Sequence, residues 1–409
     1  VLYVLDEPSA GLHPADSEAL YAALRELVGA GNSLFVVEHD LSIARNADWV
    51  VDVGPSAGVL GGNIVFSGPP AGLADVGDSA TAEFMFARAE APALVAREPA
   101  EWRELSGLTR HNIDDVSIRL PMGVMTAITG VSGSGKSSLL DALTERLSTE
   151  RVVSIDQKPI GRSPRSNLAT YTGLFDTVRR LFASTPEATE RGWPAGRFSF
   201  NVEAGRCPTC DGEGFIAIEL VFLPTSYSSC PTCHGSRYNP ETLEVHYRDR
   251  DIGQVLAMTV QEAAGFFDDV PGVHRALTTL LDVGLGYLTL GQPATELSGG
   301  EAQRIKLATE LQRPRRGHTV FVLDEPTGGL HPVNVRDLVR VLGRLTDAGD
   351  TVVTVEHDMQ VVAAADWVIE LGPGGGDRGG RIIATGTPAE LLDDRDSITG
   401  PYLRRSLER

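Results

Sequence analysis

The chain writes one pattern twice at a fixed spacing, and that repeat limits its fold more than any other feature. Asp6-Glu-Pro-Ser-Ala-Gly-Leu-His-Pro14 returns as Asp324-Glu-Pro-Thr-Gly-Gly-Leu-His-Pro332, an offset of 318. Glu38-His39-Asp40 returns as Glu356-His357-Asp358, Asp48-Trp49 as Asp366-Trp367, and Gly54-Pro55 as Gly372-Pro373, all at that offset. A constant register over roughly the first seventy residues means two copies of one structural unit. In each copy an apolar strand (Leu2–Leu5, Val320–Leu323) runs into Asp-Glu, a helical stretch comes next, and a second buried strand (Ser33–Val37, Thr351–Val355) ends at Glu-His-Asp. This alternation predicts an α/β fold, a parallel sheet flanked by helices.

Only the second copy is preceded by a glycine-rich loop. Gly130-Val-Ser-Gly-Ser-Gly-Lys136-Ser137 fits G-x-x-x-x-G-K-[ST], after the strand-like Val124–Thr129 and before the helical Ser138–Leu143. Gly130, Ser132, Gly133 and Gly135 suit a backbone that curls its N–H groups around phosphate, and the helix start at Ser138 favours an anion. Lys136 reaches the β- and γ-phosphates of such a ligand, and Ser137 can ligate Mg²⁺. Lysine is otherwise scarce: Lys158 and Lys306 are the only others, so a lysine at the end of this loop carries weight.

Asp324 ends an apolar strand, where a carboxylate can hold Mg²⁺ directly or through water, and Glu325 is placed to polarise an attacking water. His357 ends the next strand and is a candidate γ-phosphate contact. An isolated histidine there would read as a hydrogen-bonded core residue, but the twofold recurrence of Glu-His-Asp favours function. Gln157, after the strand-like Val152–Ile155, is a candidate link between nucleotide and the insert, or a polar loop residue. Ser298-Gly299-Gly300 opens a helix and forms a second anion cradle. That cradle and the phosphate loop of one unit cannot close on the same ATP, so a second unit must supply the opposing face.

All four cysteines lie in two couplets, Cys207-Pro-Thr-Cys210 and Cys230-Pro-Thr-Cys233, nineteen residues apart. Four thiolates at that spacing can form a closed tetrahedral Zn²⁺ site of structural type, and cysteine usage of this kind suits a reducing compartment. Disulfides or a redox couplet are the alternatives. The alternating Phe215-Ile-Ala-Ile-Glu-Leu-Val-Phe222 beside them predicts a hairpin arm.

The net charge is −19, which alone argues against bulk attraction to nucleic acid. The balance is uneven: residues 146–206 hold ten Arg/Lys against six Asp/Glu, whereas the first 135 residues hold seven against eighteen. Arg162, Arg165 and Arg197 are candidate DNA-phosphate contacts, or braces for the insert. No apolar run approaches the ~18–20 residues that span a bilayer.

These motifs together read as an ABC-type ATPase cassette with an inserted zinc-binding module, preceded by the C-terminal part of another cassette. Residues 1–90 are assigned to that first part, 91–105 to a linker, and 106–409 to the second cassette, with an insert at about 160–260 and a zinc module at 205–240. The first copy begins in mid-strand at Val1, and the expectation is a fragment of a longer tandem protein.

The chain closely resembles the UvrA family of bacterial nucleotide excision repair. The resemblance rests on Asp156-Gln-Lys-Pro-Ile-Gly-Arg-Ser-Pro-Arg-Ser-Asn167, Ala169–Gly173, Gly196-Arg-Phe-Ser-Phe-Asn-Val202, Arg237–Glu244, Val283–Tyr287 and Leu290-Gly-Gln-Pro-Ala-Thr-Glu-Leu-Ser-Gly-Gly-Glu-Ala-Gln-Arg304. It implies tandem cassettes, a homodimer bound to damaged double-stranded DNA, a UvrB-type helicase as partner and a cytoplasmic setting. It also implies that Lys136, Ser137, Asp324, Glu325, His357 and Ser298–Gly300 belong to nucleotide sites and that the four cysteines bind zinc. The chain departs from the family in lacking the first phosphate loop, the first signature and zinc module, and the region of the UvrB-binding and insertion domains. Glu7 and His39 are thereby left without a loop to serve. The rival readings are a UvrA-like self-resistance protein against DNA-binding antibiotics, a transporter ATPase subunit, and a non-catalytic DNA-binding fragment.

Overall fold

Each Leu-His-Pro of the repeat starts a helix. Proline takes the first helical turn, where its missing N–H costs nothing, and the preceding histidine is the N-cap. The helices are Pro14–Gly29 and Pro332–Asp347, offset by 318 at both ends. His13 accepts from the Ala15 N–H at 3.2 Å and His331 from that of Val333 at 3.3 Å. Along the second helix Val335, Leu338, Val341, Leu342 and Leu345 are buried, one apolar stripe at helical spacing. The computed structural model describes residues 1–55, 61–86, 94–147, 150–218, 226–314 and 317–408.

Two compact units emerge, residues 1–156 with 315–409, and residues 157–314. The first holds a six-stranded sheet in the order Arg381–Gly386, Trp367–Gly372, Met125–Gly130, Thr351–Val355, Thr319–Asp324, Arg151–Ile155. All neighbours are parallel except the edge strand Arg381–Gly386. Strand Thr351–Val355 is buried throughout and reads as a continuous β-rich run, as a strand covered on both faces should. Ile128, Leu139, Leu143, Val322, Val353 and Leu371 share the core, which joins helix Lys136–Arg146 to the sheet.

The first copy repeats four strands of this sheet, the counterparts of Thr319–Asp324, Thr351–Val355, Trp367–Gly372 and Arg381–Gly386. Leu2–Asp6 pairs in parallel with Ser33–Val37, and Val50–Gly54 pairs antiparallel with Asn63–Gly68. In the second copy Met125–Gly130 lies between the counterparts of Ser33–Val37 and Val50–Gly54; among the described residues nothing takes that place in the first copy. Val4, Phe35 and Val53 are accordingly 71%, 63% and 60% exposed, whereas Val322, Val353 and Leu371 are 4%, 1% and 0% exposed.

The expected linker is partly strand. Glu101–Leu105 belongs to strand Glu101–Arg110, which pairs antiparallel with Ile113–Met122 and sets Trp102 edge-on against Trp367 at 5.0 Å. Residues 91–93 of that expected linker lie outside the described residues. The Pro and Ala punctuation stops at Ala100, and the alternating segment after it pairs as a hairpin.

The second unit reaches beyond the expected insert limit near 260, to residue 314. It is mainly helical; helix Leu174–Ala183 buries Leu174, Phe175, Val178 and Phe182. Strand Phe215–Ile218 pairs antiparallel with Ser226–Ser229, as a hairpin arm requires, and 219–222 of the expected arm lie outside the described residues.

Candidate functional site

The glycine loop leaves strand Met125–Gly130 and enters helix Lys136–Arg146. At Gly130 a Cβ would lie 2.0 Å from the Leu371 carbonyl oxygen, and φ is +132°, so only glycine fits. Gly135, with φ +106°, caps the helix without a side chain, which leaves the first-turn N–H groups directed at whatever the loop holds. Lys136 donates to the carbonyls of Gly130 and Val131, both at 3.0 Å. Burial pushes its ammonium down to about 8, against the opposing pull of Glu325, Asp16 and Asp324. An anion in the loop would restore the charge that burial disfavours.

Ser137 Oγ donates to Asp324 Oδ1 at 3.3 Å, so the hydroxyl and carboxylate expected to serve Mg²⁺ are adjacent. Burial, then the neighbouring Glu325, raises the Asp324 carboxyl. A divalent cation would reverse that. Glu325 has φ +48° and places Oε1 3.3 Å from Nε2 of His357. Burial pushes the His357 imidazole below its ordinary value, which favours the neutral ring at neutral pH. Ser138 Oγ lies 3.1 Å from the His111 ring. The predicted residues Gly130, Ser132, Gly133, Gly135, Lys136, Ser137, Ser138, Asp324, Glu325 and His357 thus share the first unit.

Several residues of this site escaped the sequence reading. Glu356, buried and pushed up to about 8 by desolvation, accepts from the N–H and hydroxyl of Thr327 and from the N–H of His357. It ties the turn after Asp-Glu to the strand end that presents His357. Glu38 does the same in the first copy for Ser9, His39 and Asp40. The copies also face each other. A Cβ at Gly11 would lie 2.8 Å from Glu325 Oε2, and one at Gly329 would lie 3.3 Å from Glu7 Oε2. Asp16 accepts the Ser132 N–H at 2.8 Å, a contact from the first copy onto the phosphate loop of the second. Glu7 and His39 sit 3.6 Å apart, like their counterparts. The repeat was the available signal: Glu38, Glu356, His13 and His331 all recur at its offset.

The second unit holds Gln157, Ser298, Gly299 and Gly300. Ser298 caps helix Gly299–Leu311 in a reciprocal box with Glu301: the Glu301 N–H donates to Ser298 Oγ at 3.2 Å, and the Ser298 N–H to Glu301 Oε2 at 2.7 Å. Tyr287 donates to the other oxygen of Glu301 at 2.6 Å. A Cβ at Gly299 would lie 3.2 Å from Gln157 Oε1, so Gln157 sits on this helix start.

All four cysteines are buried, and their sulfurs lie within 4.8 Å of one another. Cys207–Cys230 and Cys210–Cys233 are 4.0 and 3.6 Å apart. A tetrahedron with metal–sulfur bonds of about 2.3 Å needs sulfurs about 3.8 Å apart, so the set fits Zn²⁺. Arg237, buried beside them, stacks over Phe200 and donates to the carbonyls of Pro164 and Gly291. Of the arginine candidates, Arg197 donates to Glu241 and lies 4.0 Å over Trp193, and Arg165 is 3.5 Å from Glu213. Arg162 is exposed.

The ABC transporter family model matches residues 113–328. UvrABC system protein A of Streptococcus mutans is 48% identical over 100% of this chain and 46% of its own length. That of Thermus thermophilus is 51% identical over 99% of this chain and 45% of its own. The crystal structure of UvrA2 from Deinococcus radiodurans matches with a TM-score of 0.94 at 60% identity, over 99% of this chain and 52% of that one. The chain therefore spans about half the length of the relatives it matches.

Proposed function

The chain belongs to the ABC family in its UvrA branch, and from that premise we propose that it is the ATP-dependent DNA-handling part of a nucleotide excision repair protein, recognising damaged double-stranded DNA. The observation that supports this most is likeness to UvrA proteins along the whole chain. Among the described residues no helix is long and apolar enough to cross a membrane.

In this reading the loop N–H groups and Lys136 hold the β- and γ-phosphates of ATP, and Ser137 and Asp324 hold Mg²⁺. Glu325 orients and deprotonates the attacking water, and the neutral His357 hydrogen-bonds the γ-phosphate. Ser298, Gly299 and Gly300 present an N–H cradle to the γ-phosphate of a nucleotide bound on another cassette, so turnover requires two cassettes to meet. Gln157, packed on Gly299, links that meeting to the nucleotide. Cys207, Cys210, Cys230 and Cys233 hold Zn²⁺, which would supply a closed structural cross-link. Arg162, Arg165 and Arg197 face DNA phosphates, the last two after exchanging their present partners. A homodimer, a UvrB-type helicase and a cytoplasmic setting complete the proposal.

The test is the ATPase rate of the zinc-loaded chain with and without duplex DNA carrying a bulky adduct. Stimulated turnover supports the reading. Absence of both nucleotide and DNA binding sinks it.

A further inference from the structure

The two copies exchange histidines. His13, fully buried, leaves the first copy and places Nε2 3.1 Å from Oγ1 of Thr399 in the second. His331 makes the reverse journey, with Nε2 3.3 Å from Oγ1 of Thr81. Thr81 and Thr399 are themselves related by the repeat offset, 399 − 81 = 318. Each threonine is held by a carboxylate of its own copy: Thr399 Oγ1 donates to Glu370 Oε1 at 2.7 Å, and Thr81 Oγ1 to Asp52 Oδ1 at 2.8 Å. The rings around each histidine match too: Tyr402 packs edge-on against His13 at 5.5 Å, and Phe84 against His331 at 6.1 Å.

The hydrogen-bond roles on the His13 side are forced. Glu370 is wholly buried and accepts from Ser397 Oγ, the N–H groups of Ile398 and Thr399, and Thr399 Oγ1. The hydroxyl proton of Thr399 is therefore committed to Glu370, and its oxygen can only accept from His13. His13 then carries its proton on Nε2 and leaves Nδ1 to accept from the Ala15 N–H. That bond caps helix Pro14–Gly29, whose first turn carries Asp16, the residue that accepts the Ser132 N–H of the phosphate loop. The His13 ring also meets the His357 ring edge-on at 6.1 Å. A continuous chain of contacts thus runs from Glu370 through Thr399, His13 and Asp16 to Ser132.

We propose that Thr399 and Glu370 are positioning residues for the phosphate loop, acting through His13 and Asp16 of the other copy. Neither touches the loop or its ligand; they hold the Nε2–H of the His13 tautomer that the Ala15 N–H also requires, and so anchor the helix start that presses Asp16 on Ser132. The inference rests on reading this loop as the nucleotide site, and its test separates the two.

Three variants of the full chain decide it: Thr399→Val, which keeps the shape and removes the acceptor, Thr399→Ser, which keeps the acceptor, and Thr399→Ala, should the valine form fail to fold. The first readout is independent of turnover. Hydrogen exchange at the Ser132 amide should quicken about tenfold in Thr399→Val or Thr399→Ala and stay at the wild-type rate in Thr399→Ser, with exchange in strand Thr351–Val355 unchanged. The ¹⁵N spectrum of the His13 ring should show a hydrogen-bonded Nε2–H in wild type and Thr399→Ser, and a shifted Nε2 resonance in Thr399→Val, where that proton has lost its acceptor. The second readout is kinetic: kcat for ATP should fall about tenfold in Thr399→Val with KM moving less than about twofold. An unchanged Ser132 exchange rate, or a His13 spectrum indifferent to Thr399→Val, overturns the proposal. Zero turnover by the wild-type chain counts against the functional reading and leaves the exchange and ring spectra to judge the inference.

Discussion

Lys136 is held by two carbonyls of its own loop at 3.0 Å and is almost wholly buried, so its charge has few alternatives to a bound anion. Lys136→Ala should lower affinity for ATP at least about a hundredfold by titration calorimetry while the melting temperature moves by only a few degrees; unchanged affinity would remove the loop from the site. His13 makes the opposite use of burial. Desolvation, then the neighbouring His357, lowers its imidazole to about 4 from an ordinary value of 6.5, with Asp16 opposing and Lys136 assisting. Between those values the unfolded chain holds more protons than the folded one, so stability falls as pH drops from 6.5 towards 4. At pH 5 the loss is about 2 kcal/mol relative to neutral pH. Glu356 and Asp358 run the other way, because their carboxyls are raised to about 8 and about 6 and the folded state keeps those protons longer. The decisive quantity is therefore the difference between wild type and His13→Asn in chemical denaturation at pH 7 and pH 5. The variant should lose about 2 kcal/mol less on acidification, and parallel behaviour would refute a buried neutral His13.

At the scale of elements, the phosphate loop, the paired Asp-Glu strand ends and the Glu-His-Asp ends were legible because each is a short local pattern whose chemistry needs fixed spacing. The hairpin Glu101–Arg110 with Ile113–Met122 was missed, since Pro and Ala punctuation before Ala100 masked a strand that begins directly after it. The grip of Tyr287 on the signature helix was not legible at all, because nothing local joins Tyr287 to Glu301 fourteen residues on. That grip makes Ser298 and Tyr287 energetically coupled through one carboxylate. Ser298→Ala should cost about 1 kcal/mol as a lost cap, and Tyr287→Phe about 1.5–3 kcal/mol as a lost bond to a charged group. The double variant should cost less than the sum by at least about 0.5 kcal/mol in urea denaturation, and strict additivity would mean that Glu301 serves the two independently. The couplets admit a simpler test: Cys230→Ser should release the metal to a chromogenic chelator and loosen the hairpin Phe215–Ile218 with Ser226–Ser229, whereas undiminished zinc content would exclude the four-sulfur site.

For the whole molecule, the repeat foretold two copies of one unit but not that they would be knitted by reciprocal histidines, because a repeat in sequence carries no information about which faces meet. Glu18 of the first copy accepts from Tyr402 and Arg405 of the second, while Arg336 of the second reaches Glu83 of the first, so the exchange extends to charged groups at the rim. The copies differ in what covers their sheets. In the second, strand Met125–Gly130 and helix Lys136–Arg146 bury the positions that Val4, Phe35 and Val53 leave in water. Leu2, Val37 and Ile64 are exposed as well, and large exposed apolar side chains in such number favour association. The chain by itself should therefore bind a hydrophobic dye such as anilinonaphthalene sulfonate and self-associate at concentrations of about 10–100 μM, while Phe35→Ser combined with Val53→Ser should weaken both effects several-fold. Neither side chain is among the residues placed at the nucleotide site above, so ATP affinity should not change. Sedimentation velocity and dye titration on the two proteins decide it: a wild-type chain that stays monomeric and dark would mean that the first copy's sheet is covered in solution.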